Sequence, residues 1–129
     1  MRWDKFLQDI EKGKAKPFYL FYGDEELLIA EALSKLKRKL VPPAFEDWNC
    51  QTFHTDDTDP EDVLVAARTL PLFSPWRMVV VKDCQRLKEV AAQRAILSYL
   101  LEPCPSTCFV CLMPQTVSKA KEPDPEESD

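Results

Sequence analysis

The chain has 129 residues, room for one domain with a hydrophobic core, and 45% hydrophobic content excludes disorder of the whole. No apolar run reaches the roughly 18 residues of a membrane span, and Met1 to Leu7 (MRWDKFL) lacks the apolar core of a signal peptide, so a cytoplasmic protein is expected. The net charge of −5 does not suggest a dedicated nucleic-acid surface, though a basic stripe can still sit on one face, and five cysteines, an odd number, fit reduced thiols better than a disulfide framework.

Trp3, Phe6, Leu7 and Ile10 recur at helical spacing, with Gly13 as a C-terminal cap. Phe18 to Tyr22 is an apolar run without alternation, as in a strand covered on both faces of a parallel sheet. Gly23 turns the chain and Asp24 caps a long helix. Its stripe is Leu28, Ala32, Leu36 and Leu40, widened by Leu27, Ile29 and Leu33, and Pro42-Pro43 ends it. Lys35, Lys37, Arg38 and Lys39 read as a solvated face of that helix.

Trp48 to Phe53 reads as a second strand. Asp59-Pro60-Glu61-Asp62 is a helix start, with an N-cap, proline at the first helical position and acids in the first turn. This helix carries Val63, Leu64, Ala67 and Leu70 and stops at Pro71. Arg77 to Lys82 is a buried third strand. Leu87 to Leu101 is a helix with Leu87, Ala91, Ala95 or Ile96, and Tyr99 or Leu100 facing inward. Thr107 to Met113 is a fourth apolar strand. Apolar content then collapses, so residues 1–113 form the domain and residues 114–129 an acidic disordered tail or linker. Strands alternating with helices give an α/β class: a doubly wound, mainly parallel sheet with helices on both faces.

Strand–glycine–helix at Gly23 invites a nucleotide-binding reading. A phosphate loop of the form GxxxxGK[ST] needs glycine, lysine and a hydroxyl where this chain has Leu28, Ile29 and Ala30. Asp24, Glu25 and Glu26 place negative charge where phosphates would lie. After the third strand, Lys82 precedes Asp83 and no Glu follows, which is not the magnesium-binding ending of a nucleotide hydrolase. His54, the single histidine, has no catalytic partner at motif spacing and reads as structural. Cys104, Cys108 and Cys111 have the CxxxCxxC spacing of an iron–sulfur motif. Cys108 and Cys111, an odd number of residues apart in one strand, should however face opposite sides of the sheet.

The helix-to-strand connection is unusual. Pro71 and Pro75 exclude a regular helix there, leaving Leu72 and Phe73, two large adjacent apolar residues, in a loop. They either tuck under the loop and close the core or form a wedge for a partner protein.

An ordered set of runs resembles the delta subunit family of bacterial DNA polymerase III. These are Pro17 to Glu26 (PFYLFYGDEE) before a Leu/Ala-rich helix, Phe45 to Asn49 (FEDWN), Thr69 to Ser74 (TLPLFS) leading into Met78 to Lys82 (MVVVK), and Tyr99 to Pro103 (YLLEP) followed by Pro105 to Thr107 (PST). The resemblance implies a P-loop NTPase-like AAA+ N-terminal domain without a working phosphate loop. It also implies a clamp-loader function in DNA replication without catalysis, cofactor or metal, inside a holoenzyme that is a DNA-directed nucleotidyltransferase. The implied partners are the ring-shaped sliding clamp (the beta subunit) and the other loader subunits, with DNA met only through the assembled complex and no membrane. Leu72 and Phe73 match the family's clamp-inserting pair, with Leu70, Pro71 and Ser74 as flanking support, and helping to open the ring is the implied action. Further C-terminal domains of the family are expected beyond this stretch. Two other functions stay open from the residues alone: a degenerate ATP-binding or hydrolysing protein, and an iron–sulfur or redox protein using Cys104, Cys108 and Cys111.

Overall fold

The computed structural model describes residues 3–23, 25–84 and 89–114. Four strands, β1 (Phe18–Gly23), β2 (Cys50–His54), β3 (Arg77–Lys82) and β4 (Thr107–Pro114), form one sheet in the order β1-β4-β3-β2. Every pairing is parallel. Met78 to Val81 and Cys108 to Val110 are buried throughout, which is why the two central strands read as unbroken apolar runs. The first strand also packs on both faces, with Tyr19 and Phe21 in one core and Phe18 and Leu20 against the other. It lies at an edge, and Tyr22 is 56% exposed.

The helices are α1 (Trp3–Glu11), α2 (Glu26–Leu40), the single turn α3 (Glu46–Asn49), α4 (Pro60–Arg68) and α5 (Val90–Leu101). Strand order decides which face each covers. The β1-to-β2 crossover traverses the sheet in one direction, and β2-to-β3 and β3-to-β4 step back in the other. Right-handed crossovers therefore place α2 on one face and α4 and α5 on the opposite one. Phe6 and Ile10 of α1 join Ile29, Ala32, Leu36 and Leu40 of α2 over Tyr19, Phe21, Met78, Val80 and Val110. Val63, Ala66 and Ala67 of α4 and Tyr99 of α5 cover Val79, Val81 and Phe109 from the other side. The doubly wound α/β architecture is thus present.

Local chemistry sets the helix ends. Gly13, at φ 74°, closes α1: its N–H donates to the Ile10 carbonyl (3.0 Å) and the Lys14 N–H to that of Asp9 (2.8 Å). The Asp59 carboxylate accepts from the Glu61 N–H at 3.0 Å and starts α4. The last carbonyls of α4 are taken from outside the helix. Thr69 Oγ1 donates to Val65 (2.7 Å), Arg77 Nε to Ala66 (2.8 Å) and Thr107 Oγ1 to Ala67 (2.7 Å). That ends α4 at Arg68, so Leu70 lies beyond the helix expected to carry it.

Three further boundaries differ from the sequence expectation. The α2 stripe is Ile29, Ala32, Leu36 and Leu40, whereas Leu28 is 39% and Leu27 86% exposed. A strict i, i+4 series turns by about 40° per step, so Leu28 has rotated well off the face that Leu40 buries. Strand β2 starts at Cys50, because Trp48 and Asn49 complete α3. In α5 the buried position is Ala92, not Ala91. Asp24, Leu87 and the tail from residue 115 lie outside the described residues. Among the described residues, no helix is long and apolar enough to cross a membrane.

Candidate functional site

In a parallel sheet all the loops that precede a strand gather at one end. The segment from Thr69 to Trp76, entering β3, therefore lies beside α3, which enters β2. Within it Leu70 is 69%, Leu72 52% and Phe73 74% exposed. Both residues of the Leu-Phe pair thus face solvent rather than the core. Pro71 and Ser74 are half-buried beside them.

Phe73 has φ 59°, the left-handed region, which costs a residue with a Cβ roughly 1–2 kcal/mol. The surroundings hold this conformation. The Phe73 ring lies 5.5 Å from that of Phe45 and 6.1 Å from that of Trp48, and those two stack at 6.0 Å. Asn49 is fully buried. Its Nδ2 donates to the carbonyls of Leu72 (2.7 Å) and Phe45 (3.0 Å), and its Oδ1 accepts the Leu72 N–H (2.6 Å). Ser74 Oγ donates to the Trp76 carbonyl (2.8 Å) and accepts the Trp76 N–H (3.3 Å), pinching the loop before β3. Trp76 itself packs against the α1–α2 core, beneath the loop.

Arg77 braces the base. Its buried guanidinium donates from Nε to the Ala66 carbonyl, from Nη1 to the Trp48 carbonyl (2.7 Å) and from Nη2 to Gln51 Oε1. Burial lowers its pKa from the ordinary value, yet guanidinium remains charged at any physiological pH. A cation at the α4 C-terminus also meets the negative end of the helix dipole.

The sequence points to the five loop residues as a site but gives no supporting role to Phe45, Trp48, Asn49 or Arg77, which hold the loop. The sequence predicts strand at Trp48 and Asn49, where the chain instead forms the turn α3. The pointer was Asn49, a residue poorly suited to a strand, standing at the head of a β-rich run.

The β1–α2 junction lies at the opposite end of the sheet. Between Gly23 and Glu26 only residues 24–25 intervene. Leu28, Ile29 and Ala30, at the phosphate-loop positions, are helical, and Ile29 is buried in the core. Asp83, at φ 59°, lies 3.9 Å from His54 Nδ1, and its carbonyl accepts from Thr55 Oγ1 at 3.0 Å. Cys108 belongs to the α1–α2 core, Cys111 to the α4–α5 core, and Cys104 packs against the latter from outside β4. Cys108 and Cys111 thus cannot ligate one cluster while β4 is intact.

The family model for the DNA polymerase III delta subunit matches residues 19–123. The chain is 29% identical over 114 residues to DNA polymerase III subunit delta of Bacillus subtilis, covering 83% of this chain and 33% of that protein. The structure of the Bacillus subtilis DNA clamp loader delta protein superposes with a TM-score of 0.81 at 27% identity, over 88% of this chain and 35% of that one. A DNA polymerase III gamma subunit-related protein of Thermotoga maritima shares the fold, with a TM-score of 0.64 at 19% identity over 89% of this chain and 40% of that one. The chain spans about a third of the length of the delta proteins it matches. The parallel sheet, the order of its elements and the family match together place this chain in the DNA polymerase III delta subunit family.

Proposed function

We propose that this domain docks on the ring-shaped sliding clamp of the bacterial replicase through Leu72 and Phe73, supported by Leu70, Pro71 and Ser74, and helps open the ring for loading onto primed DNA. The observation that carries the reading is the exposure of two adjacent large apolar side chains on a loop whose backbone is fixed from beneath, with Phe73 in a left-handed conformation. Trp48, 53% exposed against the Phe73 ring, enlarges the same surface.

Burying a Leu and a Phe contributes roughly 3–6 kcal/mol together, about two to four decades of affinity. Opening follows only if the bound geometry fits the open ring better than the closed one. In this reading the domain is itself non-catalytic and needs no metal or cofactor. It works in the cytoplasm with other loader subunits and meets DNA through the assembled complex.

Calorimetric titration of the clamp from the same organism tests the docking step. The expected result is a loss of about a hundredfold or more in affinity for Leu72→Ala/Phe73→Ala with the melting temperature retained. Equal affinities for the two proteins would overturn the reading.

A further inference from the structure

Asn49 spends its side chain on the exposed loop. It is fully buried, at the junction of α3 and β2, and it bonds both backbone groups of Leu72, 23 residues further along the chain. The pattern is that of a strand pairing made by a side-chain amide: one acceptor for the Leu72 N–H, one donor for the Leu72 carbonyl. The remaining amide hydrogen goes to the Phe45 carbonyl, tying down the residue on whose ring Phe73 lies.

Other contacts also fix the path of the chain into β3. Arg77 grips the end of α4, the Arg77 N–H bonds the Ser106 carbonyl at 2.8 Å, and Ser74 closes the turn to Trp76. What Asn49 adds is the orientation of Leu72, and through it the turn at which Phe73 enters the left-handed region.

We infer that Asn49 is a positioning residue for partner docking: its bidentate bracket on Leu72 holds the Leu72–Phe73 pair in the conformation that the clamp receives. The inference rests on the docking reading above and names the residue that sets its geometry. A loop held in the bound shape loses less conformational freedom on association, so the bracket acts on affinity rather than on the partner's choice of contacts.

The test uses the whole chain with Asn49→Ala and, as a second variant that keeps a small polar group, Asn49→Ser. Each is titrated calorimetrically against the sliding clamp at a temperature where circular dichroism finds it folded, and Leu72 amide exchange is followed by NMR. The expected result is clamp affinity about tenfold or more weaker per folded molecule, together with faster exchange at Leu72. Affinity within about twofold of the parent, whatever the fall in melting temperature, overturns the inference, because it makes Asn49 a fold residue only. Weakened binding with Leu72 exchange unchanged overturns it as well, since the effect would then reach the clamp by another route. Leu72→Ala/Phe73→Ala, run alongside, separates the two readings. If that pair abolishes binding while the Asn49 variants do not weaken it, the bracket falls and docking stands. If the pair leaves binding intact, docking itself falls.

Discussion

Cys108 and Cys111 stand three residues apart on β4 and belong to different cores, one on each face of the sheet. The alternation of a strand forces this separation. It turns an apparent ligand motif into two unrelated packing positions. Burial pushes the Cys108 thiol up from 9.0 to about 12. Cys111 is raised as well, by its hydrogen bond with Cys84 and by burial.

The Cys108 shift predicts an alkaline limb. Between about pH 9 and 12 the thiol ionises in the unfolded chain and stays protonated in the native one. The native state then holds the extra proton, so stability is complete below pH 9 and falls by roughly 1.4 kcal/mol per pH unit for this site. Tyr19 and Tyr99, also raised by burial, act in the same direction higher up. Urea unfolding from pH 8 to 11 should therefore give a shallower decline for Cys108→Ala than for the parent. Parallel declines would count against the assignment.

Phe73→Asn separates stability from binding. Asparagine tolerates the left-handed backbone better than phenylalanine, and the lost ring is largely exposed. The melting temperature should stay within a few degrees of the parent, about 1 kcal/mol or less. Clamp binding should fall steeply. A fall of several kcal/mol in stability would instead mark Phe73 as a core residue.

Arg77→Met should be among the most destabilising single changes at this end of the sheet. It strips donors from the buried carbonyls of Ala66 and Trp48 and releases Gln51. The cost should be about 2–4 kcal/mol in denaturant unfolding, because unpaired carbonyls remain behind. Arg77→Lys should recover only part of it, since one ammonium cannot reproduce three directed donors. Wild-type stability in either variant would contradict the network.

Magnesium-ATP should leave the melting temperature unchanged at millimolar concentration. Any ligand bound by the native state alone would raise it by mass action. Leu28, Ile29 and Ala30, at the phosphate-loop positions, are helical, and Ile29 is buried in the core. A concentration-dependent rise would favour a nucleotide-binding function.

What the sequence disclosed depended on whether local chemistry or distant contacts decided the outcome. Asp59-Pro60 names its own helix start, and the run Met78 to Val81 names a central strand, because caps and continuous apolar runs are local signals. Leu28 against Ile29, and Ala91 against Ala92, were ambiguous. Adjacent apolar residues fit a helical stripe at either phase, and only packing chooses. The exposed loop was visible as two prolines around Leu72-Phe73. Its support was not, because Asn49 reaches Leu72 across 23 residues and Arg77 reaches Trp48 across 29. The helical turn at Trp48 and Asn49 belongs to that distant network, so it read as strand.

The direction of the strands has a mechanical consequence. With all four pointing the same way, the exposed pair sits on one rim of a stiff plate and the β1–α2 junction on the other. At about 3.3 Å per residue the six residues of β3 make a lever of about 20 Å, so tilting the plate by about 10° at the far rim sweeps the tip through about 3–4 Å. A small swivel imposed from the distant rim would thus arrive at the Leu-Phe tip as a displacement on the scale of a side chain.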